Sequence, residues 1–129
     1  MIHQFELRVY YEDTDLAGIV YYANYLKFIE RARTEFIREL GIDQIALKQV
    51  EGIVFAVRRV EADYLTPAKF DDQLTVQTSP DAVTGARIVL RQDIQREGVT
   101  LFSAIVTLVA LGESGQLTRM PANIRLLLQ

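Results

Sequence analysis

The chain has 129 residues, 50% hydrophobic and 24% charged, a composition that predicts one folded domain over residues 1–129 and no disordered tract. A formal net charge of −3 leaves no broad basic field of the kind that non-specific nucleic-acid binding needs, so no DNA or RNA partner is expected. There is no cysteine and one histidine, His3, which excludes disulfides, thiolate catalysis, Cys-based zinc or iron–sulfur centres and all-histidine metal sites.

The N-terminal stretch from Met1 to Arg8 has no basic segment followed by an apolar core, so no signal peptide is expected and the cytoplasm is the expected location. Phe5 to Tyr10 alternates apolar and polar residues and reads as a strand. Tyr11 to Gly18 is acidic, ends on glycine and reads as a loop. From Ile19 to Leu40 there is neither glycine nor proline. Tyr22, Leu26, Ile29, Arg33, Phe36 and Leu40 recur at helical spacing, and Tyr25, Phe28, Ala32 and Ile37 widen the apolar face. This predicts a long, largely buried helix, stopped at Gly41. On it, Glu30 and Arg33 are spaced to form an exposed or interface pair.

Asp43 to Val50 reads as a short second helix. Period two then takes over at Ile53, Phe55 and Val57, and resumes with the other parity at Val60, Ala62 and Tyr64. A parity switch inside one strand predicts a bulge near Arg58 and Arg59, residues that either neutralise a buried carboxylate or simply flank the bulge. Pro67 to Asp72 is a turn. Strands follow at Leu74–Thr78 and Ile88–Ile94, and Glu97-Gly98 reads as a tight hairpin connection. Val99 to Leu111 is apolar on both faces, as a central strand is, and is too short to cross a bilayer as a helix, so no membrane insertion is expected. The Ile124–Leu128 run reads as packing or interface, and Asp63 and Tyr64 are candidates for a subunit interface. One early helix followed by antiparallel strands predicts an α+β architecture, one twisted antiparallel sheet wrapped around one helix, with edge strands free to pair with another copy.

No Walker loop, dinucleotide-binding glycine motif or nucleophile elbow is present, and a single N-terminal histidine makes a Ser-His-Asp triad implausible. Acid–base work is left to carboxylates, lysines, tyrosines or water. The densest candidate is the run from Tyr11 to Tyr22, with Glu12, Asp13 and Asp15 just before the long helix. A helix start offers unpaired N–H groups that can hold a carbonyl oxygen and stabilise the oxyanion formed on it. Gly18 leaves the backbone open to a ligand. A carboxylate beside such a carbonyl can attack it or activate water. The same acidic residues also serve, in many chains, as helix caps and loop hydrogen-bonding groups.

The stretch from Tyr11 to Phe36 (Tyr-Glu-Asp-Thr-Asp-Leu-Ala-Gly-Ile-Val-Tyr-Tyr-Ala-Asn-Tyr at its start) resembles the signature of hotdog-fold acyl-CoA thioesterases. It is most similar to the Tol–Pal-associated bacterial branch related to 4-hydroxybenzoyl-CoA thioesterase. The likeness continues through Val57 to Ala68 and Gly85 to Arg91. It implies the hotdog fold, hydrolysis of an acyl-CoA thioester without metal or cofactor, and a homo-oligomer, a dimer or dimer of dimers, with sites between subunits. It also implies Asp15 as the catalytic carboxylate, the Tyr22 backbone N–H as oxyanion donor, Gly18 keeping the path to it open, and Asn24 and Tyr25 setting the helix start and pocket. Many members of the Tol–Pal branch carry histidine where this chain has Tyr22, while the aromatic-thioesterase relatives resemble it there. Their CoA phosphates meet a basic cluster, for which Arg87 and Arg119 are the candidates. Acyl carrier protein is a second carrier the same chemistry would serve. Two other readings of the fold are a non-enzymatic acyl or carrier-protein binding module and a dehydratase, the latter opposed by the missing internal histidine.

Overall fold

The computed structural model describes all 129 residues. The elements run β1 (His3–Arg8), a 3-10 turn (Tyr11–Asp13), α1 (Asn24–Glu39), α2 (Gln44–Glu51), β2 (Val54–Tyr64), β3 (Gln73–Val83), β4 (Ile88–Arg96), β5 (Val99–Leu111), β6 (Leu117–Thr118) and α3 (Ala122–Leu128). The strands form one antiparallel sheet in the order β1-β3-β4-β5-β2, with β6 added to the end of β5. β1 and β2 are therefore its edges. No helix is long and apolar enough to cross a membrane.

Alternation along the strands sorts the faces. Leu74, Val76 and Thr78 of β3, Ile88, Leu90, Gln92 and Ile94 of β4, and Phe102, Ala104, Val106 and Leu108 of β5 are buried on the face that packs against α1. The helix meets them with Tyr25, Phe28, Ile29, Ala32, Phe36 and Ile37. The expected helical face is thus shifted: Tyr22 and Leu26 are exposed, and the burial is one-sided.

The start of α1 also differs from the sequence expectation. The helix begins at Asn24, and Ile19 and Val20 are extended, bridging to Lys69 and Thr14. The Val20 N–H donates to the Ala68 carbonyl at 2.8 Å, so a long-range backbone bond takes residues that carry no local breaker. The bulge in β2 falls between Val57 and Arg59, and the hairpin at Glu97-Gly98 turns through two positive-φ residues. In α2, Asp43 caps the helix by accepting from the Ile45 and Ala46 N–H groups.

The expected Glu30–Arg33 pair does not form. Arg33 turns inward and donates to Gln92 Oε1 at 2.9 Å, while Glu30 accepts from the Thr34 hydroxyl. Burial lowers the Arg33 pKa from its ordinary value, and Glu30 partly offsets this.

Candidate active site

The acidic loop between β1 and α1 is built by its own side chains. Asp13 Oδ2 accepts from the Tyr10 N–H at 2.8 Å, and the Asp13 carbonyl accepts from the Tyr21 N–H and from Asn24 Nδ2, both at 2.9 Å. Asp13 is thereby occupied with structure, and Asn24 ties the first residue of α1 to the loop. Glu12 is exposed. Asp15 Oδ1 accepts from the Ala17 N–H at 2.9 Å, closing a short side-chain turn. The Asp15 N–H donates to the Ile19 carbonyl, and Gly18 closes the bend at φ 80°, a conformation that glycine adopts without strain. An added Cβ at Gly18 would meet nothing within 4 Å, so the loop is open on that side.

Between this loop and the end of β2 lies a cavity of about 200 Å³ lined by Ile19, Val20, Tyr22, Tyr25, Tyr64 and Pro67, among others. Asp15 is exposed and outside this lining; its main-chain N–H bonds to Ile19 of the lining, and its carboxylate lies near enough to act on the Tyr25 phenol. The Tyr25 ring stacks on Phe102 at 5.1 Å and its hydroxyl accepts from the Ala68 N–H at 3.0 Å. Burial raises the Tyr25 phenol above its ordinary value. The Ala68 N–H and Arg96 oppose this, and the nearby Asp72 and Asp15 carboxylates add to it.

The backbone at Tyr22 is arranged for donation. The Tyr22 and Ala23 N–H groups make no hydrogen bond within the chain. The Tyr21 carbonyl accepts from the Asn24 N–H at 2.8 Å, and the Tyr22 carbonyl accepts from the Tyr64 hydroxyl at 3.1 Å. Two successive amides thus have engaged oxygens and free nitrogens. Tyr22 lies two residues before the first helical residue, so the donor belongs to the lead-in of α1.

The two arginine candidates separate. Arg87 is exposed in the turn closed by the Thr84 N–H and the Arg87 carbonyl. Arg119 lines a depression of about 290 Å³ together with Arg58, Gly85 and Val109. Its guanidinium lies flat over Gly85, where a Cβ would come within 2.6 Å of Cζ. Neither Arg58 nor Arg119 has a carboxylate partner. In sequence Arg58 reads as a bulge residue or as a neutraliser of a buried carboxylate, and no carboxylate pairs with it. Its place in the same depression as Arg119 depends on a sheet register that joins residues far apart in the chain. No three His, Asp or Glu side chains converge as a metal site would require.

An apolar cleft, a loop carboxylate and free main-chain donors at a helix lead-in are the equipment of acyl transfer. The family model described as "Thioesterase superfamily" matches residues 17–103, and the chain belongs to that family. The chain is 45% identical over 102 residues to the Haemophilus influenzae acyl-CoA thioesterase YbgC, an overlap of 79% of this chain and 75% of that one. It is 41% identical over 108 residues to an Escherichia coli acyl-CoA thioester hydrolase YbgC, covering 84% of this chain and 80% of the relative. Among solved structures, a probable thioesterase from Bartonella henselae superposes with a TM-score of 0.89 at 37% identity, over 94% of this chain and all (100%) of that one. A 4-hydroxybenzoyl CoA thioesterase mutant complexed with 4-hydroxybenzoyl CoA superposes with a TM-score of 0.93 at 22% identity over 99% of each chain, which speaks for the fold. The fold is the hotdog fold, and the protein is a thioesterase.

Proposed function

We propose that the protein hydrolyses acyl-CoA thioesters to free acid and CoA, as a cytoplasmic homo-oligomer of one domain over residues 1–129. The Asp15 carboxylate attacks the thioester carbonyl or activates water against it, and the Tyr22 N–H receives the oxyanion. Gly18 lets the loop bend past the acyl group. Asn24 and Tyr25 hold the helix lead-in and the cleft wall. The observation that carries this reading is the unpaired Tyr22 N–H at an aromatic-lined cleft, with the Asp15 carboxylate near Tyr25 of its lining. The names of the YbgC relatives support the CoA thioester as the substrate class.

Asp15→Asn keeps the side chain's size and its acceptor for the Ala17 N–H and removes the charge. Free-thiol release from acyl-CoA should fall by about 10²–10⁴-fold, with the far-ultraviolet circular dichroism unchanged. A folded variant with full activity removes Asp15 from the mechanism.

The phosphates at the nucleotide end of CoA contact Arg119 and Arg58, with Arg87 supplying no more than nearby charge. The R58A/R119A pair should raise KM for an acyl-CoA about tenfold and leave hydrolysis of the matching acyl-pantetheine, which lacks the nucleotide, unchanged. An equal effect on both substrates would show that the arginines act through the fold.

A further inference from the structure

Tyr64 ends β2 at the point where that strand reaches the lead-in of α1. Its ring meets three others edge-on, with centroids 6.2 Å from Tyr22, 5.4 Å from Tyr25 and 5.0 Å from Phe102. Tyr25 and Phe102 are both core residues and lie parallel to each other at 7°. Two buried rings therefore fix the direction of a third that is half exposed. Held in this way, the Tyr64 hydroxyl donates to the Tyr22 carbonyl at 3.1 Å. Burial, with Tyr22 and Tyr25 adding to it, raises the phenol above its ordinary value, so the hydroxyl keeps its proton through neutral pH.

The Tyr22 carbonyl shares a rigid plane with the Ala23 N–H. On the other side of Tyr22, the Tyr21 carbonyl shares a plane with the Tyr22 N–H and is held by Asn24. The Tyr22 N–H can be re-aimed only by rotation of these two planes. Asn24 anchors one and Tyr64 anchors the other. A hydrogen bond accepted by a carbonyl also polarises its amide and strengthens the donor on the same plane.

We infer that Tyr64 is a positioning residue for thioester hydrolysis, its hydroxyl locking the Tyr22–Ala23 amide and through it the aim of the Tyr22 N–H at the substrate carbonyl. The inference rests on the hydrolytic reading of the Asp15–Tyr22 site. Its role is exerted on the transition state, where charge collects on the carbonyl oxygen and donor aim matters most. A residue that merely packs would be indifferent to loss of its hydroxyl.

Tyr64→Phe keeps the ring and its three edge contacts and removes that one hydroxyl. The kcat should fall about fivefold to tenfold with KM unchanged, on both an aliphatic and an aromatic acyl-CoA. The Ala23 amide resonance should move upfield, because its carbonyl partner has lost an accepted bond, while distant amides stay in place. A kcat within about twofold of the parent overturns the inference, as does a loss carried by KM alone or an unmoved Ala23 amide. Asp15→Asn assayed alongside separates the two possible failures. Full activity there removes Asp15 from the reading of the site, and the Ala23 resonance still reports whether Tyr64 holds the amide.

Discussion

Gln92 is fully buried on β4 and joins three partners. Its Nε2 donates to the Ile29 carbonyl of α1 and to Thr78 Oγ1 of β3, each at 2.9 Å, and its Oε1 accepts from Arg33. One amide thus pins the middle of the helix to two strands and gives a half-buried guanidinium an acceptor. Leucine at this position has similar bulk and no polar atoms. Q92L would leave the Thr78 hydroxyl and the Arg33 guanidinium without these partners in a region poor in water. The expected cost is about 2–4 kcal/mol, read as a lower urea midpoint at unchanged slope. Loss of less than about 0.5 kcal/mol would show that water replaces the amide.

At the scale of elements, the sequence predicted what short-range periodicity controls. Phe28, Ile29, Ala32, Phe36 and Ile37 gave the helix and its buried face, and the parity change across Arg58 and Arg59 gave the bulge. The signal failed where a partner lies far along the chain. Ile19 and Val20 look helical locally and are drawn into extended pairing by Ala68 and Lys69. Arg33 looks like a surface partner of Glu30 and turns inward because Gln92 waits 59 residues away. The candidate site divides in the same way. Asp15, Gly18 and Asn24 are visible as one continuous motif, but the aromatic wall from Tyr64, backed by Phe102, and the depression that Arg58 shares with Arg119 need the sheet register. In sequence Tyr64 reads as a strand residue and a candidate for an interface, because nothing local links a strand end to a carbonyl 42 residues earlier.

At the scale of the whole molecule, the free edge of β2 is the feature that a lone chain leaves unresolved. Its inner partner is β5, and nothing pairs with its other side. Every residue from Val57 to Tyr64 is exposed, including Val57, Val60 and Tyr64, which face the α1 side of the sheet and would lie in its core if the sheet continued. Long apolar edges invite strand pairing, and natural proteins that stay monomeric blunt them with charge or proline. The face of this edge that carries Val60, Ala62 and Tyr64 has neither, its charges at Arg59, Glu61 and Asp63 lie on the other face, and its one bulge falls mid-strand at Arg58. Next to it, Tyr22 and Leu26 are exposed, and Leu16 beside Asp15 is wholly so. A second copy added antiparallel to β2 would cover the valines and bring its own surface over the cleft at Tyr22. A two-fold axis makes each substitution count twice, so V60K would set two lysines against one apolar seam. The variant should keep its circular dichroism, sediment as a monomer at micromolar concentration, and lose about tenfold or more in kcat/KM. The parent protein should lose specific activity when diluted below its dissociation constant. A monomeric V60K protein with undiminished activity would show that one chain holds the complete site, and would place the role of the β2 edge elsewhere.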